Sequence, residues 1–402
     1  MQHRIIVLGA GYTGATAAGR LARRLHRDDV AITLVNAEPH FVERVRLHQL
    51  AAGQDLRPRP LDEMFRGTGV ELRLATVTGI DVDRRAVAVL AADGGAEELE
   101  YDTLVYALGS GWSDQGVPGA AEHAHEIASR PGALRLRERL AGLEAGRPVV
   151  VVGGGLTGLE AATEIAEARP DLAVAFATLG GLGDWLSDKG RGHLRKVFGK
   201  LDITAHEHTA VTGVEAGRVT TADGRSIPAA VTVWTTGFAV HPIAQATTLE
   251  VTGTGQIVVD GTMRSVSHPD VYAIGDAALA MGPGGRPLRM SCASGTPGAW
   301  QAAGAITARL TGGKLPNVPI RYFNQCVSLG RGEGLIQYVT ADDRAVDAAL
   351  TGRLAAVYKE LVCKGAAWGV ANPTLGLPGR RRRVTRETAG TGPAAAASAR
   401  LS

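Results

Sequence analysis

The chain has 402 residues, 45 % of them apolar and 21 % charged, which excludes whole-chain disorder and leaves room for two or three cores. Net charge is +3, and the stretch from Arg380 onward holds six basic residues against one Glu, so the body is near neutral and shows no nucleic-acid footprint. Three distant cysteines (Cys292, Cys326, Cys363) contain no CxxC and cannot form a disulfide framework, and no run of about 18 apolar residues offers a membrane span.

In chain order, residues 4–8 (Arg-Ile-Ile-Val-Leu) read as a short buried strand, preceded by nothing that resembles a signal peptide. A cytoplasmic protein is expected, at most peripheral to the inner face of a membrane. The glycine knot Gly9-Ala10-Gly11-Tyr12-Thr13-Gly14 follows, then a helix over 15–25 and a second buried strand over 31–35. This is a βαβ unit with a right-handed crossover. Residues 70–90 alternate as strands, and 103–110 close the region in Gly109-Ser110.

A second copy of the unit begins 144 residues after the first. Strand 148–152 leads into Gly153-Gly154-Gly155-Leu156-Thr157-Gly158, a helix over 159–167 and a strand over 173–177. Strands ending in glycine recur at 231–237 and 271–276. Residues 318–379 form a smaller mixed region with a helix over 352–363. Its Leu354, Val357, Tyr358 and Leu361 make one stripe, with Arg353 and Lys359 off it. Docking of the stripe on the body is the expectation; dimerisation and membrane contact are its other uses. The tail from Arg380 is expected to be disordered.

A strand, a GxGxxG turn and a helix set backbone N–H groups and the helix dipole against a pyrophosphate. Two such knots, each between buried strands, imply two dinucleotide sites. The ribose-binding acid that normally ends the second strand is absent from both. The first site has Asn36, with Glu38 two residues on; the second has Thr178-Leu179-Gly180. Either the second site admits the 2′-phosphate of NADPH, or it has lost tight nicotinamide binding.

Residues 4–340 resemble, motif by motif, the two-dinucleotide-binding-domain flavoproteins of the pyridine-nucleotide–disulfide oxidoreductase superfamily, in particular the type II NADH dehydrogenase-like branch. The resemblance implies an α/β protein with two Rossmann-like domains. A discontinuous FAD domain (1–110 and 238–317) encloses an NAD(P)H domain (111–237), followed by a C-terminal interface region (318–379) and the basic, Ala-rich tail (380–402). FAD falls to Gly9, Gly11 and Gly14, to the strand carrying Ala107 and Gly109, to the turn at Gly237, and to Gly275-Asp276, whose carboxylate matches the ribityl-binding Asp. NAD(P)H, as co-substrate, falls to Gly153, Gly155, Gly158 and Thr178. Tyr12, Thr13, Asn36, Arg44, Val77 and Thr157 complete the cofactor-binding candidates.

The implied activity is hydride transfer from NAD(P)H to flavin, then electron transfer to a quinone-like or other small acceptor. The alternatives are a specialised-metabolism flavoenzyme acting on a particular aromatic substrate, or a flavin-binding sensor or interaction module with a degenerate NAD(P) site. Glu160 matches a family Glu near the nicotinamide. Pro297 is expected to start a helix aimed at the flavin, and Trp300 stands where the branch places a polar residue beside its acceptor. Arg44 and Arg46 are expected on one side of an alternating stretch. The cysteines read as packing residues, and the pairs His123/His125 and His206/His208 lack a third ligand, so no metal is expected. A homodimer is open.

Overall fold

The computed structural model describes residues 1–376 and 379–385. Strand β1 (His3–Leu8) enters helix α1 (Tyr12–Arg24) and returns as β2 (Val30–Asn36). The short helix α2 (Leu47–Ala51) follows, then β3 (Val70–Asp81), β4 (Ala86–Ala91), β5 (Ala96–Glu100) and β6 (Thr103–Tyr106). The second unit contains β7 (Ala124–Glu126), β8 (Pro148–Val152), α3 (Leu156–Ala168), β9 (Ala173–Ala177), β10 (Thr204–His206) and β11 (Val231–Trp234). The chain then supplies β12 (Val271–Ala273), α4 (Cys292–Thr311), β13 (Asn324–Ser328), β14 (Gly334–Val339), β15 (Ala345–Thr351) and α5 (Arg353–Ala371).

Two sheets organise these elements. The first has the order β12-β6-β1-β2-β3-β4-β5, parallel from β12 to β3 and closed by an antiparallel meander. The second is wholly parallel, β10-β9-β8-β11-β7. In each, the strand before a glycine knot lies at the point where the strand order reverses, the place where such sheets leave a crevice. Buried on both faces, β1 and β8 are continuous runs of Ile, Leu and Val.

Helices α1 and α3 both begin three residues earlier than the spacing predicts. The third glycine of each knot lies inside the first turn, where a Cβ on Gly14 or Gly158 would collide with the carbonyl oxygen of Gly9 or Gly153. Helix α1 packs along α4, and the small residues Ala15, Ala18, Ala299, Ala302 and Ala303 are buried in the same core, so the two backbones approach closely.

Three expectations are corrected at the C-terminal end and in the first unit. Helix α5 runs past Cys363 to Ala371, and its buried face is Ala355, Cys363, Ala367 and Val370. The larger apolar stripe points outward, with Leu354 71 % and Leu361 64 % exposed, because the helix meets β13–β15 through its small residues. Residues 380–385 are placed rather than disordered. Arg382 bridges to Leu25, Arg383 pairs with Asp28 and Asp29, and the Val384 N–H donates to Asp29. The rest of that tail, 386–402, lies outside the described residues. Arg44–Arg46 is a 3-10 turn rather than an extended stretch, which sends its two arginines to different partners.

Candidate functional site

A cavity of about 820 Å³ opens between the two sheets and α5, near the upper end of ligand-pocket sizes of roughly 300–1,000 Å³. The first knot forms one wall. Gly9 has φ +92°, and a Cβ there would lie 2.5 Å from the Ala107 carbonyl oxygen, so only glycine makes this turn. A Cβ on Gly11 would meet no protein atom within 4 Å, which leaves the backbone open to a bulky anion at the start of α1. Tyr12 packs edge-on against Phe41, and its buried hydroxyl has no hydrogen-bond partner within the protein. Thr13, Ala107, Gly109, Gly237 and Gly275 also line this wall.

Asp276 lines the cavity with one carboxylate oxygen taken by the Ser110 hydroxyl (2.6 Å) and the Arg44 guanidinium at 3.8 Å. Arg46 turns the other way and pairs with Glu43 and Glu360. Asn36 reaches the cavity, but its Oδ1 accepts the Ala10 N–H and its Nδ2 donates to the Glu38 carbonyl. It braces the glycine turn. Val77, on β3 opposite Val89, packs against the core of the first sheet instead. The open Gly11, the orphaned Tyr12 hydroxyl and the half-committed Asp276 carboxylate fit a dinucleotide with a polyol linker, as FAD has.

The second knot repeats the turn but meets the cavity only through Leu156 and Thr157. Thr178, at the end of β9, is buried with its hydroxyl beneath Gly154, and the next residue, Leu179, is exposed. What α3 brings to the cavity is Glu160. Its Oε1 accepts from the Lys359 ammonium and from the Ser328 N–H, both at 3.0 Å, and its Oε2 lies 3.7 Å from His48 Nδ1. Burial favours the neutral carboxyl, but the Lys359 charge and the Ser328 N–H hold Glu160 below the usual carboxylate range. The carboxylate in turn keeps Lys359 charged despite its burial. Burial pushes His48 down to about 4, so its ring is neutral at physiological pH.

One turn along α3, burial raises Glu164 to about 7. Gln54 donates to one of its oxygens, and the other is buried without a partner.

The sequence placed Lys359 off the apolar stripe of its helix, with no role, and did not single out His48. The signal for Lys359 lay in the spacing Ala355, Lys359, Cys363, Ala367, one face of one helix. The three cysteines converge on the same cavity. Burial raises all three thiols, Cys326 to about 11, so they stay protonated there. Among the described residues no cluster of three or more His, Cys, Asp or Glu is built to hold a metal.

Pro297 does not start its helix: α4 begins at Cys292, and Pro297 sits inside it while still lining the cavity. Trp300, one turn on, is 46 % exposed at the cavity's outer end, with the Arg20 guanidinium 4.5 Å from the ring centroid. It is therefore not a core residue, and part of its ring is already covered. Gln301 points away and donates to the Gly261 carbonyl.

The sequence pattern of the family described as pyridine nucleotide-disulphide oxidoreductase matches residues 3–306. An NADH dehydrogenase-like protein of Mycobacterium tuberculosis is 31 % identical over 315 residues, 73 % of this chain and 77 % of its own length. A demethylphylloquinone reductase of Synechocystis is 25 % identical over 390 residues, 89 % of this chain and 92 % of its own. The fold is similar to that of NDH2 from Plasmodium falciparum, solved in complex with NADH. The TM-score is 0.77 at 14 % identity, covering 93 % of this chain and 97 % of the other.

Proposed function

We propose, from the premise that this chain belongs to the pyridine nucleotide-disulphide oxidoreductase family, that it is an FAD-dependent enzyme carrying electrons from NAD(P)H to a quinone-like acceptor. The observation that carries this reading is the convergence of both glycine knots and a buried Glu160–Lys359 pair on one cavity. In the net reaction, a hydride from NAD(P)H and a proton from solvent convert the quinone to its quinol.

FAD, when bound, supplies the hydride-accepting and electron-releasing ring chemistry. The chain supplies binding and proton management. The first-turn N–H groups of α1 would hold the pyrophosphate over the open face of Gly11. The Asp276 carboxylate, oriented by Ser110 and Arg44, would accept from a ribityl hydroxyl. Lys359 Nζ, facing the cavity, is the donor for the oxygen of a reduced acceptor, and Glu160 restores its charge balance. His48, neutral, packs the far side of the carboxylate and excludes water.

No helix among the described residues is long and apolar enough to cross a membrane. The exposed side chains Leu354, Val357, Leu361 and Trp368 beside Lys364 and Arg353 suit a peripheral contact with an anionic lipid surface. Vesicle co-sedimentation reads this contact: Leu361→Asp releases the protein from phosphatidylglycerol vesicles while leaving its melting temperature unchanged.

The central test is anaerobic reduction of the FAD-loaded protein by NADH and by NADPH, followed by reoxidation with a panel of quinones. Rapid bleaching and quinone-dependent recovery are expected. Flavin that neither nicotinamide reduces would remove the proposal.

A further inference from the structure

The cavity continues past the first glycine knot. Helices α1 and α4 run side by side away from it, with Thr13, Thr16 and Arg20 on one wall and Thr296 and Trp300 on the other. From Thr13 to Arg20 the channel covers ~10 Å at the helical rise of 1.5 Å per residue. Pro373, beyond the end of α5, covers this stretch and packs against Gly19 of α1.

The charge at the outer end of the channel is one-sided. Arg20 is half-buried, and among the described residues no carboxylate lies within ion-pair distance of it or of Arg24. Burial, with Arg24 and Arg23 nearby, pulls Arg20 down to about 10, still a cation at neutral pH. Arg24 is lowered in the same way, by burial and by Arg23 and Arg382. A half-buried guanidinium among other guanidiniums is unfavourable unless an anion joins it. The Trp300 ring orients that guanidinium on the channel wall while leaving its N–H donors unspent on protein carboxylates.

We propose that this outer end is an anion subsite, and that the electron acceptor carries a carboxylate or comparable acidic group on an arm reaching Arg20. The inference rests on the acceptor reading above and deepens it. An acceptor with a plain hydrocarbon arm leaves Arg20 uncompensated; one with an acidic arm ends its stem beside Trp300 and its charge on the guanidinium. The redox balance is that of the parent reaction, since the arm takes no part in it.

The test uses the FAD-loaded enzyme and two probes, a 1,4-naphthoquinone with a carboxypropyl arm and its methyl ester, which share one redox ring. A charge-assisted contact predicts roughly tenfold higher kcat/KM for the acid, and this preference shrinks as salt rises. Arg20→Gln brings the acid down to the level of the ester, and Arg20→Lys retains an intermediate preference. Equal use of the two probes by the wild type, or a preference that survives Arg20→Gln, overturns the subsite.

Should neither probe reoxidise the flavin, the acceptor reading fails on its own. The subsite is then judged by tryptophan-fluorescence titration of the oxidised enzyme, which needs no turnover. Roughly tenfold tighter binding of the acid, lost in Arg20→Gln, supports it; equal binding rejects it.

Discussion

The two βαβ units share a glycine pattern and put it to different uses. In both, the third glycine tucks under the carbonyl of the first, and the second faces open space. The first unit turns that open face toward the cavity and braces it with Asn36. The second contributes only Leu156 and Thr157 from its turn, and its main offering is a carboxylate one turn into the helix, Glu160. A glycine hexad therefore specifies how a strand enters a helix. What the site does is decided by the residues on either side of the hexad.

The sharpest way to break this comparison is Gly11→Val. The protein has room for the side chain, so the melting temperature of the flavin-free form is unchanged, yet FAD binding is abolished because the valine occupies the anion's approach. A variant that still carries flavin absorbance after reconstitution would show that the first turn is not the pyrophosphate cradle.

Next in size is Glu160→Gln. It strands the Lys359 ammonium in a buried position, and removal of one partner from such a pair costs about 3–5 kcal/mol, read as a loss in denaturant midpoint. Glu160→Gln combined with Lys359→Met recovers much of that stability without recovering turnover. A single mutant as stable as the wild type would mean that the pair is screened by solvent.

Gly14→Ala and Gly158→Ala sharpen the likeness between the units. Each places a methyl against the carbonyl of the first glycine, and each should lose about 1–3 kcal/mol by overpacking. Chemical denaturation of both variants checks whether the two turns are mechanically equivalent. A neutral result at either would separate them.

A pH dependence tests what lies beyond the second hexad. Glu164 has a folded pKa of about 7, above its ordinary 4.5, so the fold prefers the protonated form. The stability it confers is fully present below about pH 4.5 and is lost as pH rises through about 7. Glu164→Gln should melt higher than the wild type at pH 8, and the gap should close below pH 5. A gap that widens in acid would reverse the assignment.

The pattern of apolar runs and glycine knots made the two units and the cavity-facing glycines of the first legible, because buried parallel strands read as unbroken Val, Ile and Leu. Asp276 and Glu160 were legible only through the family resemblance, which matched them to motif positions that the apolar pattern alone does not mark. The C-terminal helix was not. Its large side chains suggested the packed face, whereas the fold docks it through Ala355, Ala367 and Val370 and buries Lys359 against a carboxylate 199 positions earlier in the sequence. A helix wheel ranks residues by hydrophobicity and cannot see a partner charge that distant. Trp300 lines the cavity, but the arginine over its ring comes from α1 and left no local trace in the sequence.

The strap at residues 380–385 ties one of the last described segments to the loop after α1, with Arg383 and Asp29 separated by 354 residues. A ribosome adding 5–20 residues per second delivers that partner roughly 20–70 s after the loop emerges. For that interval the loop after α1 lacks the contacts of Arg383 to Asp28 and Asp29. The first βαβ unit is thus finished by a contact that forms only once the strap has been made.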